Sequence, residues 1–317
     1  MPDDPDESFV IHTVLQHRPA RAVRAAKAGH HELESYAPGD DAAVVPGNTV
    51  VTVDAMVEGI HWDDRLEASD VGWKLVAANA SDINAMGATP HWAVLTLCLP
   101  RPLDREWVTS FAQGLGKALE AWNIALVGGD TTRSPTGRMA SLTLTGTTHH
   151  PIGRHSAQAG DDIWVSGHLG GAAAGFFIDG CSLEALRRPM PPIGLGPALG
   201  HLPTAMMDIS DGITTDLAKL CTASGTGASI NPDDLPIHPL LAQHVDPIPM
   251  MVGFGEEYEL LFTATPEHRH SIEAIGAEFG HPLTRIGQLN EQADLGPILN
   301  GRAWPDVLFS HFAEANA

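Results

Sequence analysis

Apolar positions along this chain fall into short runs with two different periods. Val50-Val51-Thr52-Val53 is β-branched throughout and predicts a buried strand, with 40–53 reading as strand, turn and strand around an acidic turn. Residues 9–28 set Phe9, Val10, Val14 and Leu15 on one side and predict a helix after a disordered start over 1–8. From residue 69 the positions Val71, Trp73, Leu75, Val76, Ala77 and Ala78 predict a helix through Met86, capped by Ser69 or Asp70 and stopped by Gly87. His91 to Leu99 predicts a strand, Asp104 caps a helix over 105–122, and Ile124 to Val127 and Ser141 to Thr148 predict further strands. Beyond residue 150 the pattern predicts strands over 162–166, 206–209 and 258–262, helices after Gly212 and over 267–279, and a proline- and glycine-rich loop over 187–199. Helix and strand alternate, which is an α/β (α+β) layer architecture. A composition shift near His149-His150-Pro151 divides the chain into two expected domains, 1–148 and 149–317.

A length of 317 residues with 43% apolar content suffices for a substantial core. The net charge of −21 argues against a nucleic-acid or anionic-membrane partner, since phosphate backbones need a basic face. The acid excess is equally compatible with a solubility or salt adaptation. Three widely spaced cysteines, Cys98, Cys181 and Cys221, give neither a disulfide framework nor a zinc pattern. The N-terminus is acidic without an apolar run, and no apolar run is long enough to span a bilayer, so a soluble, cytoplasmic protein is expected.

Charge changes the picture most where it is concentrated. Asp41 follows Gly39-Asp40, Asp54 follows the Val50–Val53 strand, and Asp82 lies in Asn79-Ala80-Ser81-Asp82 within the predicted helix. Asp130 closes Gly128-Gly129-Asp130, and Asp208 and Asp211 sit in Asp208-Ile209-Ser210-Asp211-Gly212. Any one of these is ordinary turn or cap chemistry. Five such sites beside predicted strand or helix ends point instead to a metal–phosphate centre, because Mg²⁺ takes one or two carboxylates plus substrate phosphates. There is no P-loop and no GxGxxG after a strand, so a bound nucleotide would be held through metals. The glycines of 167–175 serve either an anion or close helix–strand packing. The paired histidines show no ligand spacing, and no Gly-x-Ser-x-Gly elbow is present.

Taken in order, these motifs resemble the thiamine-monophosphate kinase family, within the superfamily of aminoimidazole-ribotide-synthetase-like ATP enzymes. The matching stretches are Gly39-Asp40-Asp41-Ala42-Ala43, Asp54 with Val57-Glu58-Gly59-Ile60-His61-Trp62, Lys74 with Asn79 to Ala88, Gly128 to Thr132, Gly153-Arg154, Gly160-Asp161, Asp208 to Gly212, Gly255 to Leu260, and Trp304. The resemblance implies ATP-dependent phosphorylation of thiamine monophosphate to the diphosphate, with several Mg²⁺ ions and ATP as co-substrate. It implies Asp41, Thr52, Asp54, Asp82, Asp130, Asp208 and Asp211 as metal ligands, with Asp54, Asp82 and Asp130 central to catalysis. Gly129, Asp130, Arg154 and Ser210 would contact ATP, and His61, Glu256 and Trp304 the acceptor. Trp304 either stacks on that acceptor or packs the tail onto the domain. The resemblance also implies a homodimer in which the N-terminal sheets pair into a barrel, with ATP near the interface. The family pattern is altered at Val53 and Ala55, which flank Asp54, at Glu257, where an aspartate is usual, and at Gly171. The alternative reading is a catalytically silent or divergent paralogue that binds nucleotide and metal. Selenophosphate synthetases want a cysteine near the N-terminus and hydrogenase-maturation relatives one near the C-terminus; the first and last here are Cys98 and Cys221.

Overall fold

A computed structural model describes residues 39–293, except 243 and 245, together with 297–299, 302–303 and Thr13. The expected helix over 9–28, Thr13 apart, and Trp304 lie outside the described residues.

The first half folds around a five-stranded sheet in the order β1-β2-β5-β3-β4. Its strands are β1 (Ala43–Val45), β2 (Thr49–Val57), β3 (Thr89–Leu99), β4 (Ala125–Arg133) and β5 (Met139–Thr147). All pairs are antiparallel except β3 with β4. Two helices, α1 (Ala68–Ala85) and α2 (Arg105–Ala121), cover one face. The core between them is Val50, Met56, Leu142 and Leu144 from the strands, with Leu75, Val76, Ile83, Phe111 and Leu115 from the helices.

Among the described residues nothing covers the other face of this sheet, and that corrects the expected buried strand at Val50–Val53. Val50 is fully buried, whereas Val53 is 61% exposed, as a half-covered sheet with period-2 alternation requires. The acidic turn also precedes β1 rather than separating β1 from β2. Asp130 lies within β4, not at a strand end, and every residue of β4 is exposed.

Helix α1 is buried on nearly all sides; only Ser69, Trp73 and Asp82 keep part exposure. Glu67 is its N-cap residue, and the Asp70 carboxylate accepts the Glu67 N–H at 3.2 Å, so Asp70 closes a capping box instead of capping the helix itself. Gly87, in the left-handed region at φ 66°, follows its end as expected. Asp104 caps α2 by accepting the Trp107 N–H at 3.0 Å.

The second half is built on a seven-stranded sheet in the order β12-β11-β8-β10-β6-β9-β7. These strands are β6 (Asp162–Ser166), β7 (Pro203–Asp208), β8 (Gly227–Ile230), β9 (Leu260–Ala264), β10 (Leu283–Asn290), β11 (Pro297–Leu299) and β12 (Arg302–Ala303). Its helices are α3 (Gly171–Phe177), α4 (Glu184–Arg187), α5 (Leu195–Leu199), α6 (Ile213–Ser224), α7 (Pro247–Gly253) and α8 (Arg269–Phe279). The stretch over 187–199, expected as loop, thus holds α5 and the end of α4. The strand expected at 258–262 begins only at Leu260, because Glu256 and Tyr258 have positive φ.

The central strands β6 and β9 are buried along their whole length, between α6 on one side and α8 on the other. The cluster around α8 reaches Ala85 of α1, so the two halves share apolar core. Asn84 adds polar registry there: its side-chain oxygen accepts the N–H groups of Gly194 and Gly196, each at 3.0 Å.

Helices α1 and α2 approach backbone to backbone at two glycines. A Cβ on Gly114 would sit 1.7 Å from the Ser69 carbonyl oxygen, and one on Gly72 2.3 Å from that of Phe111. Gly114→Ala therefore has to separate the helices over a filled core, and we expect a loss of about 1–3 kcal/mol or more, read as a lower denaturation midpoint. Gly116→Ala on the same helix meets nothing within 4 Å and is the control.

Candidate active site

A cavity of about 460 Å³ lies on the seam between the halves. Its floor is acidic, formed by Asp54, Asp82, Asp208 and Asp211; its far wall carries Trp62, Leu66, Phe176, Leu186 and Phe254.

The acidic floor has contributors from both domains. Asp54 comes from β2, Asp82 from the last turns of α1, and Asp208 from the end of β7. Asp41 comes from the turn before β1. One oxygen each of Asp41, Asp82 and Asp208 fall within 4.8 Å of one another. Asp54 joins them through a hydrogen bond with Asp82. Neutral donors fix the carboxylates: the Thr52 hydroxyl donates to Asp82 at 2.6 Å and the Ser81 hydroxyl to Asp208 at 2.7 Å. The Asn79 side-chain oxygen accepts the Asp54 N–H at 3.2 Å.

Such a group cannot be fully ionised without a counter-charge. Burial pushes Asp41 and Asp54 up to about 6. Burial, then the charges of their carboxylate neighbours, drives Asp82 and Asp208 well above the usual range. Arg154 opposes the rise at Asp41, bonding that carboxylate directly, while its own N–H donates to Asp40 at 2.8 Å. The Asp41 Oδ2 atom is buried without a hydrogen-bond partner. An all-oxygen donor set with an unsatisfied carboxylate oxygen suits a hard divalent cation such as Mg²⁺.

Two loops close the site from the second domain. Asp216 on α6 accepts the N–H groups of Ser210 and Asp211 at 3.1 and 3.0 Å, and so fixes the turn after β7. Lys219 bonds both Asp211 and Asp216. The Glu256 N–H donates to the Ser210 carbonyl at 2.9 Å, which ties the second loop to the first. Glu256, at φ 70°, turns its carboxylate onto Lys74 of α1, with 2.6 Å between Nζ and Oε2. The Tyr258 hydroxyl donates to the same carboxylate at 3.1 Å. Lys74 is only 2% exposed, so this pair links the domains inside the seam.

Comparison with known proteins shows the family of the chain. Residues 39–148 match the AIR synthase related protein N-terminal domain and 158–300 the corresponding C-terminal domain. The thiamine-monophosphate kinase of Haemophilus influenzae is 36% identical over 305 residues, covering 87% of this chain and 92% of the relative. That of Halobacterium salinarum is 33% identical over 278 residues, covering 86% and 94%. The chain belongs to the thiamine-monophosphate kinase family. A solved structure described as AaThiL complexed with AMPPCP and TMP superposes with a TM-score of 0.79 at 30% identity, over 89% of this chain and 94% of that one. The Stenotrophomonas maltophilia thiamine-monophosphate kinase gives 0.75 at 32% identity, over 90% and 96%. The Escherichia coli hydrogenase maturation protein HypE shares the fold, with a TM-score of 0.65 at 19% identity over 88% and 95%.

Of the residues singled out in the sequence, Asp41, Asp54, Asp82 and Asp208 converge. Thr52 meets them as a hydrogen-bond donor. His61, Ser210, Asp211 and Glu256 line the same cavity, and the His61 Nδ1 accepts the Val57 N–H at 3.0 Å. Gly129 and Asp130 do not join them. Asp130 is in register with Thr96, Ser141 and Ala55 across the sheet, so it belongs to the open face. Three strand spacings separate β4 from β2, about 14 Å at ~4.8 Å each. Val53 is on that open face too, so its substitution leaves the cluster untouched.

Three contributors carried no expected role: Lys74 and Ser81, which appear in the sequence only within a matching stretch, and Asp216. The signal was available for α1, where Lys74 and Asp82 are two turns apart with Ala78 between them, on one side of the helix. Asp216 carries no such mark, since its partners are backbone groups of another segment.

Glu257 yields a pH prediction. Burial, with Glu259 and Glu256 nearby, pushes it up to about 8, although the Gly170 N–H donates to it at 2.7 Å. The folded chain therefore holds a proton that the unfolded chain releases near 4.5. This contribution to stability is complete below that value and declines as pH rises toward about 8. Glu257→Gln keeps an acceptor for Gly170 and cannot titrate. The wild-type melting temperature should fall more than the variant's between about pH 6 and about pH 8.5; parallel curves would refute the assignment.

Proposed function

We propose that this protein catalyses ATP-dependent phosphorylation of thiamine monophosphate to thiamine diphosphate. The observation that carries the reading is the cavity itself, acidic at the domain seam and aromatic at its far wall. The relatives named above are thiamine-monophosphate kinases, and one neighbour is described with an ATP analogue and TMP bound.

Asp41, Asp54, Asp82 and Asp208 would hold Mg²⁺, which supplies charge neutralisation and in-line alignment for phosphoryl transfer. The acceptor is already an anionic phosphate monoester, so little general-base help is needed. The chain's own task is positioning. Thr52 and Ser81 hold the carboxylates of Asp82 and Asp208, Asn79 holds the Asp54 backbone N–H, Asp216 holds the loop of Ser210 and Asp211, and Lys74 holds Glu256 at the cavity wall.

The open face of the first sheet supports a homodimer. Val53 and Val127 are each 61% exposed and Trp92 47%, on a sheet whose helices, among the described residues, lie on one side. A second copy laid on that face would extend the two sheets toward a barrel and cover these side chains. Asp130 shares the face, so in such a dimer Gly129 and Asp130 would serve the partner's site, where ATP would then lie.

Purified protein should convert thiamine monophosphate with ATP and Mg²⁺, and leave thiamine unphosphorylated. Asp54→Asn should lower turnover at saturating Mg²⁺ by at least about 100-fold, a loss of several kcal/mol in the transition state. Near-normal turnover would sink the metal reading. Asp130→Asn should be equally impaired. Equal parts of the two variants, allowed to exchange subunits, should recover about a quarter of wild-type activity, because half the dimers are mixed and each then has one intact site. No recovery would place Asp130 outside the partner's site, and a monomeric mass by light scattering would remove the dimer.

A further inference from the structure

The aromatic wall of the cavity already holds a cation. The Arg65 guanidinium carbon lies 3.9 Å from the centroid of the Phe176 ring, well inside the range of a cation–π contact. Phe176 is locked in a group of three rings, 4.9 Å from Phe177 and 5.0 Å from Phe254, with Phe177 and Phe254 5.3 Å apart. That packing holds its free face toward Arg65. The Asp63 carboxylate supplies the counter-charge, bonded to Arg65 Nη2 at 2.6 Å and Nε at 2.9 Å. Asp63, Arg65, Phe176 and Phe254 line the same cavity as the acidic floor.

Resting on the acceptor assigned above, we propose that Phe176 and Asp63 form the subsite for the cationic thiazolium ring of that acceptor, and that Arg65 occupies it until the acceptor binds. Thiamine monophosphate is bipolar, with an anionic phosphate at one end and a quaternary ring at the other. The cavity is bipolar in the matching sense, with a floor suited to cations that bind phosphate and a wall suited to a cation. Arg65 is a weak occupant. Arg65 and Asp63 have side chains 42% and 46% exposed, and an ion pair that open to water contributes little. A thiazolium has no N–H groups, so it forfeits no hydrogen bonds on an aromatic face, whereas a guanidinium has five donors to satisfy. The aromatic contact therefore favours exchange of one cation for the other. It also separates this acceptor from phosphate esters with neutral rings.

The test compares thiamine monophosphate with its isosteric analogue in which a neutral thiophene replaces the thiazolium. Binding of each to the full-length protein with Mg²⁺ is measured by calorimetry, beside the steady-state KM for each substrate. Wild-type turnover of thiamine monophosphate is measured first; its absence would refute the function, whatever the subsite does. Given turnover, wild type should prefer the cationic ligand, and Phe176→Leu should reduce that preference about 3- to 30-fold. Phe176→Tyr, which keeps the ring, should retain it. Asp63→Asn should reduce it in the same direction, with KM for ATP unchanged in each variant. Arg65→Ala should tighten thiamine monophosphate about 2- to 5-fold by freeing the ring. Weaker or unchanged binding in Arg65→Ala, as when the arginine grips the phosphate, overturns the stand-in role. An unchanged preference in Phe176→Leu overturns the subsite. Melting temperatures identify a misfolded variant, and Asp63→Asn and Arg65→Ala decide the matter if Phe176→Leu fails to fold.

Discussion

Mutual repulsion among Asp41, Asp54, Asp82 and Asp208 is the constraint around which the molecule is arranged. Four carboxylates drawn together and away from water oppose folding unless protons, an arginine or cations offset them. The fold answers with structure on every side. Apolar clusters in each domain and a third across the seam supply the favourable burial. Thr52, Ser81 and Arg154 point donors at the cluster from three different segments. A site that stores unfavourable charge is then ready for a ligand that removes it.

The same arrangement explains why the site sits between domains rather than within one. The first sheet contributes Asp54 and the second Asp208, but neither encloses the cluster. Enclosure comes from α1, pressed against β7 and α5 of the other half. Asn84, Lys74 and Trp73 each make a polar contact across that seam, Trp73 through its ring N–H to the Pro189 carbonyl at 2.9 Å. Arg188 adds a bond to Asp70 at 3.0 Å. The cavity therefore draws both its acidic floor and its aromatic wall from the two domains together.

Much of this was legible in the sequence where local chemistry decides. The α1 and α2 stretches, the Asp104 cap and β6 follow from periodicity and caps. Three of the four cluster carboxylates stand beside glycine, asparagine or serine in recognisable turns or helix ends. What was not legible depends on neighbours distant in sequence. β8 is only four residues long, and β10 mixes Thr284, Arg285 and Gly287 with its apolar positions, so neither shows a clean alternation. Val53 looks buried by composition and is 61% exposed, because no helix among the described residues covers that face. Asp130 looks like Asp54 in sequence, and only strand order and register reveal that it faces the other way. Phe176 and Arg65 are more than a hundred residues apart, and nothing in either segment announces the pairing.

The burial of α1 has a consequence for how this chain can change length. Each residue of an α-helix turns the next by about 100°. Lys74, Ala78 and Asp82 face the cavity because they are four apart, while Val76 and Ile83 face the sheet core. One residue inserted or deleted within α1 would rotate every later position off its contact, taking Ser81, Asp82 and Asn84 from their partners at once. The turn over 134–138, joining β4 to β5, is anchored at its two ends, by Ser134 to Leu99 and by Arg138 to Glu58 and Asp104, but exposes Pro135 and Thr136 at its tip. Insertions and deletions among functional relatives should therefore gather at tips of that kind, and the eleven residues from Lys74 to Asn84 should act as a ruler whose length cannot drift.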